Sequence, residues 1–304
     1  MKIFESGCLV KLNISVWEGR IKLPTHDIQV DADKDLIRAT KYLVDRDCLK
    51  PVKQIRQKAR QVLYGKTLPF PIPGVLFIPK DILSEVDTIL QEFQQLFSAR
   101  AAYFERNYYL FQSAVKGRLQ DLFNPMDYPS NIGARFSFSW QFFVIDAPGQ
   151  SGVLSPEIYS REKENFQRTM EEFQSMAVTT LRTRFAELVD HMVDRLSGEK
   201  KVFRDSMIDH ITTFLTDFEK LNITNDNALS LQVERCRSVI SGVDAQSLRS
   251  NDYFRTDLAD KMGTIQDALD RMMVPRPKRK LRFNTQEEPT SDREGAPHEN
   301  CVPC

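Results

Sequence analysis

The residues best suited to bind a metal ion lie in the sequence DHMVD. It contains Asp190, His191 and Asp194, and Asp209-His210 follows in the next helical pattern. Carboxylates and imidazoles together are typical ligands of a divalent cation. On a helix, however, the two carboxylates spaced by four residues share one face, whereas His191 points about 100° away. We therefore interpret the segment as solvated helix surface and predict no metal site and no cofactor.

Another acidic segment, DADKD at residues 31–35, has alternating carboxylates, as a calcium loop does. A calcium loop also needs Gly at its sixth position and Glu at its twelfth. Leu36 and Tyr42 occupy those positions. Helix capping by Asp31 or Asp33 explains the segment better.

Familiar catalytic motifs are missing from the sequence. It contains no GxxxxGKS/T, GxSxG or HExxH segment and no pair of CxxC motifs at zinc spacing. The one CxxC segment, Cys301 to Cys304, could be a redox pair, part of a metal site or a prenylation signal. We favour the interpretation that it has no specific role. The sequence predicts no catalytic residues and a protein that is not an enzyme.

Positive charge is concentrated in one short segment near residue 280. The cationic residues there are Arg276, Lys278, Arg279, Lys280 and Arg282. Such a cluster binds phosphates with an affinity that falls steeply with salt, so it is a candidate polyanion site. Carboxylates at 287–294 offset the charge, which favours a solubilising tail over nucleic-acid binding.

Composition excludes several classes of protein. The 42 Lys and Arg residues balance 42 Asp and Glu residues, so no global field attracts nucleic acid or membranes. The chain has only 12 Gly, which argues against Gly-rich phosphate loops. Its 5 cysteines are scattered and the first 30 residues lack a signal-peptide pattern, so we expect a reduced, cytoplasmic setting. No apolar run approaches the roughly 20 residues of a membrane-spanning helix.

Two segments alternate apolar and polar residues as half-buried strands do. They are CLVKLNISVW at residues 8–17 and the aromatic segment at 135–146. Since an isolated strand is unstable, we expect the two strands to pair in a small sheet. Between them, the pattern first predicts a helix from Asp31 with Leu36 and Val44 on its buried face, and then a second short helix that ends at Gly65.

Apolar residues at helical spacing predict two long helices. The stripe of the first is Ile82, Val86, Ile89, Phe93, Phe97, Ala101, Phe104, Tyr108, Phe111, Val115, Leu119 and Leu122. The stripe of the second is Phe166, Met170, Phe173, Ala177, Leu181, Phe185, Leu188, Met192 and Leu196. Two long helices of similar length, joined by a connector, favour an antiparallel coiled-coil hairpin.

These patterns divide the chain into four parts. Residues 1–78 hold a strand and short helices, 79–200 the long hairpin with its inserted strand, and 201–274 further helices, while 275–304 form a charged, Pro-rich disordered tail. The predicted fold class is mainly α, with a long antiparallel coiled-coil hairpin, further helices and a small two-stranded or few-stranded β-sheet.

The strand segments resemble the paired signatures of a family of uncharacterised bacterial and phage-associated proteins, defined as a domain of unknown function. The segments are ISVWEGRIKL, Ile14 to Leu23, and RFSFSWQFFVI, Arg135 to Ile145, and the resemblance covers about residues 8–200. The motif residues are Trp17, Gly19, Arg20, Arg135 and Trp140. We expect them to have an interaction or structural role. The resemblance implies a helical protein without catalytic residues, encoded beside a MoxR-type AAA ATPase and a von Willebrand A-domain protein.

The favoured function is a non-enzymatic coiled-coil adaptor or structural subunit with protein partners, among which the resemblance implies the AAA ATPase and the von Willebrand A-domain protein. Nucleic-acid or polyanion binding through residues 276–282 is one alternative. A helical pore-forming protein is another, but the serines that alternate along the second strand favour a sheet half-facing water. The sequence leaves open whether the protein forms a homo-oligomer.

Overall fold

The computed structural model describes residues 6–24, 36–145, 155–197, 205–243 and 251–273, together with Asp33, Gln246 and Leu248. Over these residues the chain forms seven α-helices and two small antiparallel sheets, which confirms the prediction of a mainly α fold. The strands are β1 (Gly7–Ser15), β2 (Arg20–Lys22), β3 (Thr40–Tyr42), β4 (Leu68–Pro69), β5 (Val75–Pro79) and β6 (Ser137–Phe143). The helices are α1 (Arg46–Gly65), α2 (Leu83–Arg106), α3 (Tyr108–Leu119), α4 (Pro156–Ser197), α5 (Asp205–Leu221), α6 (Asn227–Ile240) and α7 (Asp252–Met272).

The larger sheet has the strand order β4-β5-β1-β6. β1 runs antiparallel to β6, with Leu12 opposite Trp140, which confirms the predicted pairing of the two alternating segments. Its other edge pairs with β5, where Leu9 lies opposite Phe77. β4 and β5 form a hairpin within the Pro-rich segment, and every residue of β5 is buried.

The smaller sheet occupies part of the segment that was predicted to be a helix from Asp31. β3 pairs with β2, with Tyr42 opposite Arg20, and Leu36, which was expected on the buried helix face, is 84% exposed. Thr and Tyr are residue types that fit a strand, and Thr40 and Tyr42 bracket β3. The helix prediction is therefore wrong over residues 40–44, while residues 31, 32, 34 and 35 lie outside the described ones.

The first predicted long helix is two helices. Asn107 separates α2 from α3, with φ −99° and ψ 9°. Its side-chain amide donates a hydrogen bond to the Tyr103 carbonyl at 2.8 Å, and such side-chain bonds compete with the helical pattern. The backbone N–H groups of Asn107 and Phe111 still bond the carbonyls four residues earlier, at 3.2 and 3.1 Å. The helical path therefore continues through the irregularity.

The long helices pack on the sheet and on other helices. α2 lies against α1 and β6, and α4 lies against α7, α5 and β4. Phe97 of α2 contacts Phe138 of β6 with ring centroids 5.6 Å apart, and Phe173 of α4 contacts Phe77 of β5 at 5.0 Å. This arrangement differs from the predicted hairpin, because the sheet and the shorter helices cover the apolar stripes that were expected to cover each other.

Two apolar clusters form the interior. The larger one contains buried residues from β1, β5, α1, α2 and α4 to α7. The smaller one contains Val44, Leu49, Phe104, Tyr108 and Ile132, with Trp17 and Phe136 packed against it. The smaller cluster fixes the start of α1 against the junction of α2 and α3.

Lys66, directly after α1, joins three helices. Its ammonium group lies 2.7 Å from a carboxylate oxygen of Glu85 on α2 and 3.0 Å from one of Asp217 on α5. Burial opposes the charged form of Lys66, but hydrogen bonds to the two carboxylates outweigh it and raise the pKa of Lys66. The same contact with Lys66 holds the pKa of Glu85 below its ordinary value.

By its contacts the chain divides into two units, Met1–Met273 and Val274–Cys304. The second unit, with the segment predicted to be a disordered tail, lies outside the described residues. Within the described part of the chain, no helix is both long and apolar enough to span a bilayer.

Replacing Lys66 with Met is expected to lower the free energy of unfolding by about 3 kcal/mol, because it leaves the buried Asp217 carboxylate without its cation. Urea denaturation at pH 7 measures the change. The matched control is Lys220→Met, since the Lys220 ammonium lies 4.0 Å from Glu85 and its side chain is 39% exposed. The control should lose less than about 1 kcal/mol, and equal losses in the two variants would contradict the role of Lys66.

The lowered pKa of Glu85 predicts an acid-dependent contribution to stability. A carboxyl group whose pKa is lower in the folded than in the unfolded chain stabilises the fold above the unfolded value, and this contribution disappears as the pH falls through the folded value. Glu85→Gln should therefore destabilise the protein at neutral pH, and its difference from the wild type should shrink as the pH falls below 4.5. Urea denaturation across this pH range tests the prediction, which fails if the difference is constant.

Candidate functional site

The turn after β1 places the first predicted motif, Trp17 to Arg20, between the small apolar cluster and the surface. Trp17 packs against Phe104 of α2 and Tyr108 of α3, with ring centroids 6.0 and 5.7 Å apart. Aromatic pairs at such distances add to the stabilisation from buried area. Trp17 therefore fixes the turn to the junction of α2 and α3.

Glu18 fixes the same turn to α1. Its carboxylate accepts hydrogen bonds from Lys53 at 2.8 Å and from Arg56 at 3.1 Å. The bond from Lys53 is the main reason that the pKa of Glu18 lies below its ordinary value. Glu18 was not among the predicted site residues, because its partners lie far along the chain and only the fold brings them together.

Gly19 and Arg20 complete the turn. Gly19 has a φ of 67°, and a Cβ at this position would lie 2.6 Å from the Leu49 side chain and 3.1 Å from that of Val44. Arg20 follows in β2 and is exposed. Within the described part of the chain its guanidinium has no ion-pair partner. The motif thus places the Arg20 guanidinium at the surface beside α1.

The second motif, on β6, binds α2. The Trp140 indole N–H donates a hydrogen bond to Asp87 at 2.9 Å, and Gln94 donates one to the Phe138 carbonyl at 2.8 Å. Arg135 lies just before β6, and its carbonyl accepts a hydrogen bond from the Ser15 hydroxyl at 3.4 Å. The five predicted motif residues therefore do not form one site, and Trp140 acts as a link between the sheet and α2.

The other predicted candidates are not assembled into a site in the part of the chain that the structure describes. Asp190 accepts a hydrogen bond from Gln266 of α7 at 2.9 Å, and the described residues contain no group of three or more His, Cys, Asp or Glu side chains that could hold a metal ion. The cationic segment 276–282 and the Cys301–Cys304 pair lie outside the described residues. Polyanion binding by that segment stays a prediction.

An exposed apolar surface runs along α2 and α3. Leu96, Tyr103 and Leu110 recur every seven residues and are 55%, 54% and 66% exposed, and the neighbouring Tyr109 is 76% exposed. Seven residues are about two helical turns, so the recurring side chains share one side of the helical path. We call Leu96, Tyr103 and Leu110 the α2–α3 face.

The α2–α3 face was not among the predicted sites, because only one apolar stripe was expected in this region. Burial of Val86, Phe97 and Phe104 confirms that stripe. The signal for the face was a second series, Leu96, Tyr103 and Leu110, one residue before Phe97, Phe104 and Phe111. A one-residue offset rotates a side chain by about 100° on a helix, so both series cannot face the same core.

Two open cavities lie on either side of Tyr42, Arg46 and Asp47 at the start of α1. One, of about 530 Å³, has an apolar part of its lining made by Leu23, Val44, Val115, Leu119 and Leu122. The other, of about 550 Å³, is lined by polar and charged side chains of β2, β3, α1 and the turn before β2. We call the second one the α1 cavity.

The packing at Gly19 is tested by two alanine substitutions. Gly19→Ala should lower the free energy of unfolding by about 2 to 3 kcal/mol, from a left-handed alanine and from its clash with Leu49. Gly74→Ala isolates the backbone cost, since Gly74 has a φ of 76° with no heavy atom within 4 Å of its Cβ position, and should cost about 1 kcal/mol. Equal urea midpoints for the two variants would refute tight packing at Gly19.

The comparisons with known proteins agree with the resemblance that the strand motifs carry. Residues 4–201 match the model of DUF3150, described as a protein of unknown function. No curated protein and no solved structure matches the chain. Because the matched segment extends from the first strand through the longest helix and covers more than half of the sequence, the chain belongs to the DUF3150 family of proteins of unknown function.

Proposed function

We propose that this protein is a non-enzymatic adaptor that binds a partner protein through the α2–α3 face. The observation that carries the proposal is the exposure of three large apolar side chains on one side of one helical path, each more than half exposed. Exposed apolar patches of this kind mark interaction sites, and tyrosine is enriched among the residues that dominate binding energy. Burying apolar surface contributes about 25 cal/mol per Å².

The scaffold behind the face supports this role. Phe97 packs on β6, Trp140 bonds Asp87, and Tyr108 packs on Trp17. Residues on the buried side of α2 and α3 are thus fixed by the sheet and by the turn after β1. A face on rigid helices loses little conformational entropy on binding, which favours affinity.

The charges beside the α2–α3 face indicate the chemistry of the partner. Arg100 and Arg106 are exposed on α2, and neither has an ion pair in the described part of the chain. Interfaces place opposite charges against each other at their rims. Glu92, four residues before Leu96, is exposed as well, so the expected partner surface is apolar at its centre and carries charges of both signs at its edge.

The partner that the family resemblance favours is a MoxR-type AAA ATPase, with a von Willebrand A-domain protein as a further component. In such a system the ATPase supplies the chemistry and the adaptor supplies a binding surface, so the adaptor needs no catalytic residues of its own. This role locates the protein in the cytoplasm with the ATPase. Under this proposal the second long helix, α4, serves as scaffold, since its buried residues Phe173, Leu181 and Met192 face the core.

The test is affinity purification of the tagged full-length chain from its native host, followed by binding of the purified ATPase. The variant replaces Leu96, Tyr103 and Leu110 with Gln, which keeps helix propensity and removes the apolar surface. We expect the wild type to retain the ATPase and the variant to bind it at least about tenfold more weakly, the equivalent of 1.4 kcal/mol.

The matched control is Leu231→Gln with Tyr253→Gln. These residues lie on α6 and α7 and are 54% and 84% exposed, so the control removes similar side chains elsewhere. It should bind the ATPase as the wild type does. Failure of the wild type to bind the ATPase would reject this partner, and equal binding by the face variant and the control would reject the α2–α3 face.

A further inference from the structure

The α1 cavity contains positive charge that the adaptor role does not use. The charged side chains of its lining are Glu18, Arg20, Arg46, Asp47, Lys50 and Lys53. Four cations therefore face two carboxylates. The amide side chains of Gln54 and Gln57 complete the polar lining and supply further hydrogen-bond donors.

Ion pairing leaves most of this positive charge uncompensated. The Glu18 carboxylate is shared by Lys53 and Arg56. Arg20, Arg46 and Lys50 have no ion-pair partner among the residues that the structure describes. The Arg46 guanidinium lies 4.2 Å from the centre of the Tyr42 ring, a contact that orders the side chain without neutralising it.

The sequence builds this cavity from two elements. Residues 46, 50, 53 and 57 recur at intervals of four, three and four, and residue 54 follows residue 50 by four, so these residues lie along one side of α1. The turn after β1 supplies Glu18 and Arg20 from the opposite wall. Trp17 and Gly19 hold that turn in the core, so the Trp-Glu-Gly-Arg motif positions Arg20 at the cavity.

We propose that the α1 cavity binds a multivalent anion, namely a small molecule that carries phosphate groups. Guanidinium groups bind phosphate oxygens through paired, charge-assisted hydrogen bonds, and two unpaired arginines lie in the lining. The site is an open surface depression of about 550 Å³, so a ligand bound there keeps part of its surface in water. With Asp47 counted, the four cations and two carboxylates of the lining leave two net positive charges, which a multivalent anion such as a diphosphate can balance.

Isothermal titration of the full-length chain with pyrophosphate tests the proposal. The variant Arg20→Gln with Lys50→Gln should bind pyrophosphate at least about tenfold more weakly, since each lost charged hydrogen bond weakens binding severalfold. The matched control, Lys58→Gln with Arg60→Gln, removes one Lys and one Arg from α1 outside the cavity lining. It should stay within about twofold of the wild type. Unfolding in urea checks that both variants are folded.

Several results would overturn the proposal. They are the absence of saturable binding by the wild type, equal affinity of the cavity variant and the control, and equal affinity of the wild type for citrate, which would reject phosphate as the recognised group. A further variant with Arg276, Lys278, Arg279, Lys280 and Arg282 replaced by Gln addresses the other cationic segment. The proposal requires this variant to keep pyrophosphate binding, and loss of binding there with retention in the cavity variant would reject the α1 cavity.

Discussion

The rest of the structure depends on the position of β1, which is hydrogen bonded along both edges. β5 pairs with one edge and β6 with the other. The chain leaves the sheet after β5, runs through α2 and α3, and returns as β6 on the far side of β1. The segment that contains α2 and α3 therefore begins after one neighbour of β1 and ends at the other, so pairing with β1 fixes both ends of this segment. Burial of β5, together with Leu9 and Val10 of β1, makes this pairing part of the main core.

This pairing explains why one side of α2 is fixed while another stays exposed. Phe97 and Asp87 contact β6, and Phe104 contacts Trp17 after the end of β1. Every one of these contacts uses the side of α2 that faces the sheet. Leu96 and Tyr103 lie one residue earlier, on a side that no described element covers, so the same pairing that orders α2 leaves the α2–α3 face available to a partner.

The sequence predicts β1, β6 and the buried positions of the long helices because these depend on local periodicity. Phe173, Leu181 and Met192 of α4 are buried where the pattern placed them. It does not predict which surface covers a stripe, since Phe173 fits Phe77 of a strand as well as it would fit another helix. The same holds for the α1 cavity, because the bond between Glu18 and Lys53 joins residues 35 positions apart.

The turn after β1 connects the two proposed sites, because Trp17 contacts Tyr108 of α3 while Arg20 lines the α1 cavity. Coupling between two sites requires an element with two arrangements of similar free energy. This turn has little room for a second arrangement, since Gly19 is packed against Leu49 and Val44 and its carbonyl accepts a hydrogen bond from Leu43 at 2.8 Å. A ligand in the α1 cavity would then stabilise the conformation that the turn already has when Trp17 contacts α3. The two sites would therefore bind different partners without a conformational change that links them.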